Sequence, residues 1–313
     1  MKKVVLTFLL LLSLAAVAQE SQSGYNFLRL PVSAHVAALG GDNISLIEDD
    51  PALAFSNPAL LSSVTDRTMG LNMMTYMAGA TTASATYSQV VKQRGTWGVS
   101  GQYMDYGRMK EMDENNVQTG EFSAREIAVA GYYAYLLTGN LSGGITAKFV
   151  NSYIANYSSI AVGVDLGLNY YDPDTEWSVS AVAKNLGGQL KAFDDNYEKM
   201  PMDVQIGATK RFEGMPFRVS LTMTNLTHWN DKLINHFVAG VDIVLSENIW
   251  VGGGYNFRRA SEMAIASGDG KSSHGAALSF GGGIYLERFK LNVAYAKYHA
   301  SSSSLLVNVA YSL

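Results

Sequence analysis

The sequence predicts an all-β fold: a transmembrane antiparallel β-barrel of about fourteen strands, preceded by a short N-terminal helical hatch or plug. Three observations carry that expectation. From about Arg67 onward, segments of roughly ten residues alternate apolar with small or polar side chains, the period and length of a tilted bilayer-spanning strand. The links between these segments are alternately tight and long. The chain also opens with an export signal, yet it has no cysteine and no later run of about 18 apolar residues that could cross as a helix.

The first element, "MKKVVLTFLLLLSLAAVAQ", joins a basic start (Lys2, Lys3) to an apolar run from Val4 to about Leu14 and then to Ala16-Val17-Ala18. That order reads as a secretory signal peptide over residues 1–18, removed before Gln19. Without cysteine the exported chain has neither a disulfide framework nor a lipid-anchoring site after cleavage. The net charge of −4 comes with no basic stripe, which argues against nucleic acid as a partner. Charged residues make up 16% of the chain, against about a quarter in soluble domains. Only helices and closed barrels satisfy every backbone group in lipid, so an exported, charge-poor chain without such a helix points to a barrel.

Residues 19–66 form the hatch segment. In "GYNFLRLPVSAHVAALGGDNISLIEDDPALAFSNPALLSSV" the alternation is absent. Asp50-Pro51 and Asn57-Pro58 each set a capping residue before a proline suited to the first helical turn, so "PALAF" and "PALLSSV" read as two short helical turns. Glu48-Asp49-Asp50 reads as capping and dipole pairing at the first of them, rather than as a calcium or acid–base cluster.

Residues 67–313 form the barrel. Strands are expected near 67–76, 80–89, 95–107, 124–137, 139–151, 158–171 and 175–184. The second set lies near 202–212, 216–225, 235–246, 248–258, 274–287, 289–299 and 303–313. In "FVAGVDIVL" Phe237, Ala239, Val241, Ile243 and Leu245 share one face; in "SIAVGVDLGLNYY" the alternation runs from Ile160 to Tyr170. Links after even strands ("LTGN", "YDPDT", "FEGM", "SEN", "LER") are tight, whereas 107–122, 185–200 and 258–273 are long and polar. That asymmetry places the short turns in the periplasm, and an even strand number then puts both termini there. The last strand, "SSLLVNVAYSL", closes the barrel against the first, with lipid over its apolar face.

The second face of the strands points to a polar lumen and carries Glu126, Lys148, Asp165, Lys184, Asp203, Arg218 and Asp242. Their signs are mixed, as in hydrogen-bonded pairs across a lumen and unlike a selectivity ring of one sign. Aromatic residues near strand ends, among them Tyr170, Trp177, Trp229 and Trp250, suit interfacial girdles. The five histidines (His35, His228, His236, His274, His299) lie far apart without metal-ligand spacing and read as solvated loop residues. No nucleophile–base set appears, so the expectation is a non-enzyme with no cofactor, no metal and no catalytic residue.

One resemblance rests on particular residues. "ALGGDNISLIEDDPALAFSNPALL" looks like the N-terminal signature of the FadL-type barrels, which have fourteen strands and a hatch carrying Asn-Pro-Ala; Asn57, Pro58 and Ala59 match that motif. Within that superfamily "FLRLPVSAHVAALGGDNISLIEDD" most resembles the PorQ family of the type IX secretion system of Bacteroidota, over essentially the whole mature chain. The related PorV family shares the architecture, and only overall similarity separates the two. The resemblance implies a Gram-negative outer-membrane anchor that holds a PorZ-like surface protein and, through it, PorU and PorV. That complex removes the sorting signal of secreted cargo and links the cargo to lipopolysaccharide, with the peptidase activity in PorU. The working surface is then the long external loops, where Met109, Met112, Phe193, Tyr197, Met263 and Ile265 are the candidates for partner contact. The alternative is a FadL-like channel for hydrophobic molecules such as fatty acids, with a moving hatch and an apolar pocket lined by Met109, Met112, Met263 and Ile265.

Overall fold

The computed structural model describes residues 23–115, 117–229, 231–267, 270–273, 275–299 and 302–313; the expected signal peptide lies outside the described residues. The strands are β1 (Thr68–Thr75), β2 (Thr81–Val91), β3 (Gly95–Met112), β4 (Gln118–Leu136), β5 (Leu141–Ile154), β6 (Tyr157–Asp172), β7 (Trp177–Lys191) and β8 (Asp203–Arg211). They continue with β9 (Phe217–Met223), β10 (Phe237–Ser246), β11 (Ile249–Asn256), β12 (Ile265–Ser267), β13 (Gly270–Ser272), β14 (Leu278–Tyr285), β15 (Phe289–His299) and β16 (Ser302–Ser312). All but β12 and β13 join into one closed barrel of fourteen strands. Closure comes from β16 on β1, in register from Ser312 opposite Thr68 to Leu306 opposite Met74. The terminal strand therefore has a partner on both sides, as its alternation requires.

The two faces follow the two-residue period. On β4, Ile127, Val129, Tyr133 and Tyr135 point outward and are exposed, while Ala128, Ala130, Tyr132 and Ala134 point inward and are buried. The same outward apolar band recurs as Leu71, Met73, Leu166, Leu168, Val219, Leu221, Val293 and Leu305. Such a surface is stable only against hydrocarbon. No helix among the described residues is long and apolar enough to cross a membrane; the chain crosses by strands.

The long connections hold more structure than their polarity suggests. Residues 107–122 are mainly a ribbon formed by the outer ends of β3 and β4, which stay paired from Arg108 opposite Ser123 to Met112 opposite Gln118. Part of 185–200 belongs to β7, which continues to Lys191. The stretch 258–273 carries a helical turn (Phe257–Glu262) and the β12–β13 hairpin, and β14 is shorter than the alternation implied. Cross-strand hydrogen bonding overrides composition here, because a polar residue is cheap on a strand that stands in water.

Residues 24–66 fill the lumen. The backbone N–H of Gly24 donates to the Lys199 carbonyl at 3.1 Å, at the long-connection rim, whereas Leu313 bonds Arg67 at the short-turn rim. The described residues thus begin at one rim and end at the other; the N-terminus expected at Gln19 lies outside the described residues. Between them run the helical turns Ala34–Ala38, Pro51–Phe55 and Pro58–Ser63. Val36, Leu39, Leu46, Leu53 and Leu60 cluster at the hatch centre. Burying each of them stabilises the plug by about 1.5–3 kcal/mol. Inward side chains of the wall are small because this plug, and not water, occupies the lumen.

Candidate functional site

The hatch is the part of the molecule that decides what the barrel does, so its attachment to the wall is the candidate site. Asn57 is fully buried in extended conformation ahead of Pro58, and its Oδ1 accepts the Ala59 N–H at 3.0 Å. This caps the turn Pro58–Ser63, with proline where no N–H is needed. Its Nδ2 donates to the Ile44 carbonyl at 3.0 Å and to the Leu168 carbonyl of β6 at 3.3 Å. One side chain therefore ties the turn, the preceding hatch segment and the wall together. The wall opposite is stripped of side chains: Gly144 and Gly167 are cross-strand partners on β5 and β6. A Cβ on Gly144 would stand 2.3 Å from the Ala59 nitrogen, and one on Gly167 would stand 2.0 Å from Asn57 Oδ1. Asn57→Ala is expected to destabilise the folded protein by about 1–2 kcal/mol, and Asn57→Asp, which keeps the cap but sets an acceptor against the Ile44 and Leu168 carbonyls, should lose at least as much. Chemical denaturation in detergent, followed by circular dichroism, measures both.

Asp50 caps the other turn in the same way, accepting from Ala52 N–H and Ser33 Oγ, both at 2.9 Å. Its neighbours do something else. Asp49 accepts from Thr65 and from Lys290, and Glu48 turns into the lumen, so only one of the three acids is a helix cap.

Glu48 belongs to a buried ionic cluster that bolts the hatch to β9, β10 and β14. Its Oε1 accepts from Arg218 Nη2 at 2.7 Å, and its Oε2 accepts from His35 Nδ1 at 2.8 Å and Tyr285 OH at 2.9 Å. Arg218 Nε also donates to Asp242 Oδ1 at 2.9 Å, its cross-strand partner. His35 Nε2 reaches Asp242 Oδ2 at 3.2 Å. Two carboxylates and one guanidinium leave a single negative charge, which a protonated His35 cancels. The His35 ring lies flat on Trp250, with centroids 3.4 Å apart and planes 2° from parallel. Neither His35 nor His236 is a solvated loop residue, for both are buried, and Trp250 faces the lumen and not a girdle. His274 lies outside the described residues.

Titration of the two hatch members follows from this geometry. Burial opposes the charge on His35, but the Glu48 carboxylate and the hydrogen bonds with Asp242 and Glu48 outweigh it and raise its pKa. Burial likewise opposes the charge on Glu48, and His35 with Arg218 overcomes it, holding that carboxyl at about 2. A lowered acid stabilises above its unfolded pKa and loses that contribution as pH falls toward the folded value; a raised base does the reverse. The bolt is therefore strongest between about pH 4.5 and 6.5, the unfolded values of the pair. The melting temperature in detergent is expected to fall when the pH drops from 4.5 toward 2. His35→Gln removes the histidine contribution and flattens the alkaline side, and it weakens the acid side as well, because His35 is one of the two groups that hold Glu48 low.

The remaining lumen-facing residues make local pairs. Lys148 on β5 meets Asp165 on β6 and Asn185 Oδ1 on β7, each at 2.7 Å. Asp165 also accepts the Asn185 N–H at 2.7 Å, filling a bulge of β7. Glu126 accepts from Tyr106 and Ser152. Asp203 sits opposite Lys184 and accepts the Asn225 N–H at 2.7 Å. These partners stand within two strands of one another or in the adjoining connection and not across an open lumen, because the hatch occupies the axis. Two interior gaps between hatch and wall measure about 20 and 80 Å³. Of the loop candidates, Met112 and Tyr197 are exposed, Met109, Phe193 and Met263 are half-buried, and Ile265 lies on β12. Met109 and Met112 are strand residues of the β3–β4 ribbon.

No family model and no curated protein matches this chain. Among solved structures it is similar to the toluene transporter TodX of Pseudomonas putida (15% identity, TM-score 0.56, covering 93% of this chain and 97% of that one). The CymD monoaromatic hydrocarbon channel gives 13% identity and a TM-score of 0.59, covering 90% of this chain and 97% of its own. A FadL homologue of Pseudomonas aeruginosa gives 10% and 0.57, covering 90% and 98%. At these identities the likeness is one of fold: a plugged fourteen-stranded barrel of FadL-like architecture.

Proposed function

We propose that this chain is an outer-membrane barrel acting as a fixed, plugged platform, which holds a PorZ-like surface protein at the cell surface for the type IX attachment complex containing PorU and PorV. The observation that carries this reading is the hatch. It fills the lumen, it is bolted by the His35–Glu48–Arg218–Asp242 cluster, and every neighbouring pair of wall strands is hydrogen-bonded around a closed circuit. A structure built to stay shut suits a scaffold, and the β3–β4 ribbon gives it a surface that stands clear of the membrane. The naming of the system rests on the resemblance of "FLRLPVSAHVAALGGDNISLIEDD" to the PorQ family. In this reading the short turns face the periplasm, the long connections face outward in a Bacteroidota-type bacterium, and chemistry belongs to the partners.

A second reading is favoured by the solved structures, which speak for it rather than for the platform: a channel for hydrophobic small molecules, since proteins named as a toluene transporter and monoaromatic hydrocarbon channels share the fold. Fold alone does not assign function. Affinity purification of the tagged chain from native outer membranes separates the two. A surface protein in stoichiometric amounts, lost when the ribbon is shortened, supports the platform. A monomer that carries bound lipid and admits toluene into proteoliposomes supports the channel.

A further inference from the structure

The β3–β4 ribbon leaves the barrel with one edge open above a ready-made seat. β4 pairs with β5 only as far as Ala124 opposite Ile154, while its pairing with β3 continues to Gln118. Among the described residues no strand lies beside Gln118–Ser123 on the β5 side. The Ser123 carbonyl accepts the N–H of Ala155, so Ser123 directs its backbone groups to that side. Backbone groups alternate sides along a regular strand, so Glu121 presents N–H and C=O to the same open edge; beyond it the register shift between Glu111 and Met112 bulges β4 at Thr119–Gly120, and the Val117 carbonyl turns back to the Asp113 N–H. The edge free of β5, Gln118–Phe122, spans about 17 Å.

Beside this edge lies a notch of about 790 Å³ lined by Arg108, Glu111, Glu121, Phe122, Ile154 and Tyr157, among others. Its floor is the β5–β6 turn, which stops short just where an added strand would start. Ile154 and Tyr157 are exposed apolar groups with no cover. Arg108 answers Glu121 at 3.8 Å, leaving Glu111 as the uncompensated charge of the lining among the described residues. An exposed edge of this kind is normally blunted or occupied.

We infer that this notch receives an extended segment of about five or six residues from the surface partner, added as a strand to the free edge of β4. The segment carries a lysine or arginine facing Glu111 and an apolar side chain against Phe122, Ile154 and Tyr157. Main-chain pairing at Glu121 supplies the docking, and the charge and apolar contacts set the register. The inference rests on the platform reading and sharpens it to one edge of one ribbon.

The test uses the full chain in native outer membranes. Glu121→Pro removes a donor from the free edge alone and keeps the β3 pairing; Lys110→Pro does the same on the opposite edge of the ribbon. Both variants should retain the folded, heat-modifiable gel mobility of the barrel. The expected result is at least a tenfold loss of the co-purifying partner for Glu121→Pro, near wild-type recovery for Lys110→Pro, and a partial loss for Glu111→Lys. A photo-crosslinker at Gln118 should then map to one contiguous segment containing a basic residue. Equal recovery from all variants overturns the notch and leaves the platform standing. No stoichiometric partner with the wild-type chain overturns both.

Discussion

Arg218→Ala is expected to release the hatch from the wall at a cost of about 3–5 kcal/mol, the range for removing one partner of a buried ion pair. Among the described residues Arg218 is the only side chain that holds both carboxylates of the cluster from the wall side, donating to Glu48 and to Asp242. Its loss leaves two buried negative charges facing His35 alone. Arg218→Lys keeps the charge but cannot fork to two acids, so it should recover part of the loss and no more. The double variant Arg218→Met with Glu48→Gln removes charge from both sides and should be less damaging than Arg218→Ala, which distinguishes an unpaired charge from lost packing. Denaturant unfolding gives the cost, and proteolysis within Pro51–Ser63 reports whether the hatch has come free. A loss below about 1 kcal/mol would mean that the cluster behaves like a solvated surface pair and does not bolt the plug.

The bolt also marks where sequence reasoning stops. The inward and outward faces of β6 and β10 were legible, because alternation is local and lipid demands one apolar face. Arg218 and Asp242 could be placed on the lumen side for the same reason. Their hatch partners could not. His35 meets Asp242 across 207 residues of chain, and the hatch has no period that would orient its side chains. An isolated histidine among alanines therefore read as a loop residue, and Trp250, one more aromatic at a strand end, read as a girdle. The caps at Asp50 and Asn57 were visible because capping is a contact over two residues. What the caps rest on was not, since a glycine in a strand looks the same whether it faces lipid or a close-packed neighbour. Polarity misled in 107–122, where a ribbon paired in water needs no apolar face.

Glycines on the two faces make the second large prediction. Gly144→Ala and Gly167→Ala should each unseat the Asn57-Pro58-Ala59 turn, at or above the upper end of the roughly 1–3 kcal/mol typical of overpacking. The added methyl of Gly144→Ala would meet backbone, at 2.3 Å from Ala59 N and 2.4 Å from the Pro58 carbonyl carbon, and no rotamer change relieves that. Gly101→Ala and Gly131→Ala are the controls: they have the same chemistry on strands of the same barrel, with nothing within 4 Å of the new carbon. The four melting temperatures should split into two low and two near wild type. If Gly144→Ala melts with Gly101→Ala, the hatch does not rest on β5 and β6 and the plug is loose. The same four variants also discriminate function. A hatch unseated at its motif opens the lumen, so the first pair should admit small hydrophilic solutes into proteoliposomes while the wild type and the controls stay tight. A wild-type chain that is already permeable would place the resting barrel among open pores, and the bolt at Arg218 would then hold a constriction and not a seal.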